Sequence, residues 1–265
     1  MEWPSWSTGW SWRRGHRASS WAILATAGRA PSSGRPSKPR GPGPVIGHYS
    51  LDLSSVWRYR ELLVSGLLVS GWVGALALGL GLLGGLVVGL GRLSRRRALA
   101  WPAGFLIEVF RGTPPLVQLF WFYYCLPLLF DVRLSALTTA VLSLGLFSSA
   151  YVGEIVRGGI QSVHKGQVQA ARALGLSQLQ ALREIVLPQA VRRMWPPLMS
   201  QAVDVLKATA LASSITVPEL MYQTYNATSQ TFRFVEFYTV SALIYLAICL
   251  PLVWRLRRLE WRSGV

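Results

Sequence analysis

Lysine is almost missing from this chain. Its 27 basic residues include only Lys38, Lys165 and Lys207 as lysines, and none of these follows a glycine. A phosphate-cradling GxxxxGK[ST] loop is thereby excluded, and with it a nucleotide-driven engine of that kind within the chain itself. Histidine and cysteine are equally scarce. His16, His48 and His164 are scattered, while Cys125 and Cys249 sit inside apolar runs, so no metal-ligand or redox spacing arises. Neither an HExxH pair nor a nucleophile elbow is present, which leaves an enzyme without its usual parts. Acidic residues number 11, against 27 basic ones, for a net charge of +16. That balance would suit nucleic acid if the arginines formed a patch. They gather instead at the ends of apolar runs, the pattern that orients a membrane protein. With 14% charged residues, 51% hydrophobic ones and a mean hydropathy of +0.35, the chain reads as a single membrane-embedded all-α domain.

Residues 1–50 show no lasting periodicity, and the apolar patch at 21–28 is too short to cross a bilayer. They read as a disordered extension or as a start assigned too early, with the domain proper at 51–265. Five apolar stretches follow, at roughly 62–91, 101–130, 134–158, 190–217 and 237–254. The first holds no charge and ends at Arg92, Arg95, Arg96 and Arg97, which places that end in the cytoplasm. Gly81, Gly85 and Gly89 fall four apart on it, a stripe of small residues where another helix can approach closely. The second is interrupted by Pro114 and Pro115, which must free backbone groups there. Glu108 and Arg111 stand three apart, the spacing of an intrahelical ion pair. The third carries Ser148 and Ser149 and ends at Glu154. The fourth is the least apolar, with Asp204 and Lys207 three apart; in lipid these should face the bundle interior, a partner subunit or each other. Residues 218–236 are mixed and read as an amphipathic outer segment. Arg255, Arg257, Arg258 and Arg262 fix the C-terminus in the cytoplasm, so five crossings put the N-terminus outside.

The stretch 163–188 breaks this apolar regime. GQVQAARALG forms a short helix with Ala170, Ala171 and Ala173 as small residues and Gly175 as a left-handed stop. Ser177 and Gln180 have capping-box spacing for a second helix, which Pro188 is expected to close. Small side chains let a soluble partner come near the backbone, and Arg172 and Arg183 set charge at the rim.

Gln169, Ala170, Ala171, Gly175, Ile185, Leu187 and Pro188 resemble, with spacing intact, the EAA loop of ABC importer permeases. FRGTPPLVQ, AYVGEIVRGGIQSV and VLKATALASSITVPEL further resemble the polar amino-acid branch of that family. The resemblance implies a type I importer permease (MetI-like) architecture in the bacterial plasma (inner) membrane. It implies an ATPase dimer docked on Gln169, Ala170, Ala171, Arg172, Gly175, Ile185 and Pro188, with ATP and Mg on that partner and no cofactor on this chain. It also implies a second permease subunit, identical or homologous, an extracytoplasmic solute-binding protein and a substrate path. Arg111, Gln118, Ser148, Ser149, Glu154, Asp204, Lys207 and Thr209 are its candidates for that path. Three positions depart from the family pattern: His164 stands where relatives often carry Pro, Gln169 where the family has Glu, and Ala208 where relatives usually carry Asp. The alternative is an ion-coupled secondary transporter, which would draw its relay from Asp204 and Lys207.

Overall fold

The computed structural model describes residues 51–263, and the reading of residues 1–50 lies outside them. A short helix α1 (Ser54–Arg58) leads into α2 (Arg60–Leu93). Then come α3 (Arg97–Gly112), α4 (Pro115–Phe130), α5 (Ala136–Gln161) and α6 (Lys165–Ala173). The final helices are α7 (Leu187–Ala208), α8 (Leu220–Thr231) and α9 (Phe234–Ser263). No strand occurs among the described residues.

Length and apolarity sort these helices. At ~1.5 Å per residue, α2 extends about 50 Å, well beyond a hydrocarbon core of about 30 Å. In its most apolar window only 33% of residues are buried, against 61% for α5 and 17% for α9. The bundle is therefore assembled around α5. Leu68, Trp72, Leu76, Leu83 and Val87 stay exposed on α2, as expected of side chains that meet lipid. Helices α3 and α4 are together apolar enough for one crossing but meet at 106°. Pro114 and Pro115 cause the break, since neither can donate a backbone hydrogen bond. Helix α7 falls outside the set of helices apolar enough to cross: Arg192, Arg193, Asp204 and Lys207 lie within it, along with Pro196 and Pro197.

The glycine stripe finds its partner inside the chain. Gly81, Gly85 and Gly89 are buried against α5, where Ser148, Val152, Gly153 and Val156 occupy the space a Cβ would need. A neighbouring core joins Val73 and Ala77 of α2 to Leu119 of α4, Leu144 of α5 and Val205 of α7.

A second tie is polar. Glu219, fully buried, caps α8 by accepting from the Tyr222 amide at 2.8 Å. Its other oxygen accepts from the Tyr245 hydroxyl of α9 at 3.1 Å and lies 3.2 Å from the Ser70 hydroxyl of α2. The Leu220 amide donates to Ser70 Oγ at 3.1 Å. One carboxylate thus pins three helices. Glu219→Ala would orphan several buried donors, each costing about 1–3 kcal/mol. A clear drop in melting temperature of the detergent-purified chain is expected, with partial recovery in Glu219→Gln, whose carbonyl still accepts.

Outside the spans, Ser54 donates to Asp52 through its hydroxyl at 2.5 Å and its amide at 3.0 Å. These bonds hold the Asp52 carboxyl below its ordinary pKa.

Candidate functional site

The polar insert folds as a helical hairpin below the bundle. His164 opens α6, its Nδ1 accepting from the Gly166 amide at 3.1 Å. The helix ends in a Schellman arrangement. Leu176 N donates to Ala171 O at 3.1 Å and Gly175 N to Arg172 O at 3.0 Å, with Gly175 at φ +87°. Next, Ser177 and Gln180 close a reciprocal capping box: Ser177 N donates to Gln180 Oε1 at 2.9 Å, and Gln180 N to Ser177 Oγ at 3.3 Å.

Pro188 does not close the second helix, contrary to the sequence expectation. Helical backbone runs without interruption from 178 to 208, widening into a π-helical turn at Ala181–Val186. Pro188 cannot donate to the Glu184 carbonyl, and a widened turn absorbs the misfit. The Gln189 side chain donates to Ile185 O at 3.0 Å, supplying a donor in the disturbed turn.

Burial divides the hairpin into a seat and a free surface. Ala171 and Ala181 are buried, and Val163, Val186, Ala190 and Met194 join Val152 and Val156 of α5 in one apolar cluster. Arg193 donates to the carbonyl and hydroxyl of Ser162, and Gln189 Nε2 to Gln167 Oε1 at 2.7 Å. Facing outward are Gln169, Ala170, Arg172, Gly175 and Pro188, with Ile185 half-buried. Leu174 and Leu179 are 82% and 72% exposed on this hairpin, more so than the neighbouring Leu182 and Leu187. A concavity of about 1020 Å³ lies among Lys165, Gln169, Arg172, Gln178, Leu179 and Leu182. Bare leucines beside cationic side chains make a surface suited to protein contact.

The candidate path residues fall into separate settings. Gln118 braces the break between α3 and α4: its Nε2 lies 2.8 Å from Phe110 O, 3.0 Å from Thr113 O and 2.8 Å from Thr113 Oγ1. It thereby serves the Phe110 carbonyl that Pro114 leaves without a helical donor. Its buried Oε1 has no partner among the described residues. Arg111 forms no ion pair with Glu108; its guanidinium stands 5.4 Å from the Tyr151 ring centroid, a cation–π contact. Ser149 donates back to Gly145 O at 2.8 Å, while Ser148 packs on Gly81 in the α2–α5 seam. Glu154 is held by Arg157 through two contacts, Nε to Oε2 at 2.9 Å and Nη2 to Oε1 at 2.5 Å. Asp204 and Lys207 pair at 2.8 Å with more than half of each side chain exposed. Thr209 is buried and donates to Leu206 O at 2.7 Å. The 330 Å³ cavity that Gln118 lines includes none of the other path candidates.

Sequence reasoning missed Glu219 and Ser70. A carboxylate three residues before an amide it can cap was a visible signal, but its burial against α2 and α9 was not.

A model of the family described as binding-protein-dependent transport system inner membrane component matches residues 81–263. The glutamine transport system permease protein GlnP of Escherichia coli K12 is 41% identical over 219 residues, covering 81% of this chain and 98% of that protein. Among solved structures, a chain of an amino acid ABC transporter with histidines superposes with a TM-score of 0.77 at 37% identity, covering 81% of this chain and all of that one. A chain of the inward-facing MetNI methionine ABC transporter superposes with a TM-score of 0.62 at 17% identity, covering 79% and 99%; that likeness concerns the fold alone.

Proposed function

Because this chain belongs to the family of binding-protein-dependent transport system inner membrane components, we propose that it is the multi-pass permease subunit of an ABC importer for polar amino acids. The observation that carries the mechanism is the hairpin. It offers exposed Leu174 and Leu179 to a partner, while Val163, Val186 and Met194 lock it to the central helix. A separate ATPase dimer, holding ATP and Mg, docks on Gln169, Ala170, Arg172, Gly175, Ile185 and Pro188, while Ala171, expected in the same contact, is buried and seats the helix instead. Motion of that dimer passes through the hairpin into α5 and α7, exchanging outward for inward access. Ligands shift such an equilibrium only through unequal affinity for its two states, which nucleotide inside and a loaded binding protein outside supply.

The domain occupies 51–265 and crosses the inner membrane five times, N-terminus outside and C-terminus in the cytoplasm. Helix α7 makes the fourth crossing under cover of the bundle and a second permease subunit, which shelters Asp204 and Lys207 from lipid. With Arg111, Gln118, Ser148, Ser149, Glu154 and Thr209 these residues border the route of the substrate. The test is uptake of radiolabelled glutamine into proteoliposomes holding the permease, its ATPase and its binding protein. Vanadate-sensitive, ATP-dependent uptake that survives collapse of ion gradients is expected. Uptake that persists without the ATPase and stops when the gradients collapse would establish secondary transport instead.

A further inference from the structure

We infer that α3 and the turn before it form an interfacial binding site for anionic phospholipid headgroups. The 106° bend means that α3 and α4 cannot both follow the membrane normal. Helix α4 ends beside the outer turn at 131–135, so α3, which begins where α2 ends, is the shallow member. Its start is flanked by Arg95, Arg96 and Arg97. All three are exposed, and none has a side-chain hydrogen bond or ion pair among the described residues. Arg92, by contrast, is engaged, donating to Ala100 O at 3.2 Å and packing over Gly104.

One turn further on, Trp101 and Phe105 stack at 5.8 Å with their planes 9° apart, 72% and 61% exposed. Leu99 is exposed beside them. Glu108, the one acid on α3, lies well along the helix from the arginines. Three unpaired guanidiniums followed by bare aromatic rings reproduce the layering of a membrane surface. Phosphates meet the charges, and rings settle at the headgroup boundary. Charge complementarity selects the occupant: phosphatidylglycerol-type headgroups on the cytoplasmic leaflet, in preference to zwitterionic ones.

The full chain, purified in detergent, is titrated with phosphatidylglycerol or phosphatidylcholine and bound lipid is counted by native mass spectrometry. Each basic side chain near an anionic surface contributes about fivefold in affinity. Three therefore predict a preference for phosphatidylglycerol of about a hundredfold, weakened by 1 M salt. R95Q/R96Q/R97Q should lose the preference, R95K/R96K/R97K should keep most of it, and Arg133→Gln, in the outer turn, should leave it unchanged. Inorganic phosphate at equal concentration should not compete. Equal binding of both lipids by the wild-type chain overturns the inference, as does an unchanged triple Gln variant. Competition by phosphate would make this a free-anion site. Loss of self-association in the triple Gln variant with lipid preference intact would give the face to a second copy. If the triple Gln variant does not fold, a salt-insensitive preference in the wild-type chain overturns the inference on its own.

Discussion

Gly85→Leu is expected to leave almost no correctly folded chain. A Cβ built at Gly85 would stand 2.5 Å from Val152 Cβ and 2.9 Å from the Ser149 carbonyl oxygen. The second contact is backbone, so no rotamer change relieves it; α2 must move away from α5. At Gly89 the Gly153 carbonyl would stand 2.7 Å from a Cβ, so the stripe cannot slide to a new register. Overpacking commonly costs about 1–3 kcal/mol. Here it also opens the seam of the most buried helix, in a fold whose net stability is about 5–15 kcal/mol. The control is on the same helix: a Cβ at Gly79 meets nothing within 4 Å, so Gly79→Leu should fold normally. Size-exclusion profiles and melting curves in detergent measure the contrast. If Gly85→Leu melts within a degree of wild type, the seam is not as close as described.

Gly175→Asp should do the opposite, sparing the fold and abolishing transport. No atom lies within 4 Å of a Cβ at this position, so the penalty is conformational rather than steric. A left-handed φ of +87° costs a side-chain-bearing residue about 1–2 kcal/mol. A carboxylate at the C-terminus of α6 also opposes the helix dipole, by about 0.3–1 kcal/mol. Helix α6 has nine residues and little stability of its own, so together these terms loosen the hairpin proposed to dock the ATPase while the bundle stands. Uptake in the reconstituted system should fall more than tenfold with the melting temperature of the bundle unchanged, and Gly175→Ala should fall between. Unchanged uptake together with unchanged ATPase binding would remove the hairpin from its assigned role.

The hairpin was legible because its signals are local. Gly175 needs a conformation that few residues adopt, and Ser177 with Gln180 satisfies amides three residues apart, whatever surrounds them. Apolar runs likewise announce α2, α5 and α9. Features that depend on what lies opposite were not legible. Pro188 reads as a stop until the π-helical turn before it and the Gln189 side chain are seen to carry the helix through. The stripe of Gly81, Gly85 and Gly89 announces a close neighbour without naming it, and only the fold supplies α5. Glu108 and Arg111 have pairing distance on paper, yet Tyr151 supplies the competing contact. Gln118 reads as a side chain for a solute, and only the fold reveals that its amide nitrogen also mends the break made by two prolines.

The unbroken helical backbone from 178 to 208 also has a mechanical meaning. From Gln180 to Asp204 is about 36 Å at ~1.5 Å per residue. A tilt of about 5° imposed at the hairpin would carry Asp204 sideways by about 3 Å over that length. A gate built on the Asp204–Lys207 pair would thus need no relay of loosened loops between motor and cargo. A small stroke below becomes, by leverage alone, a displacement comparable to the width of a water molecule above.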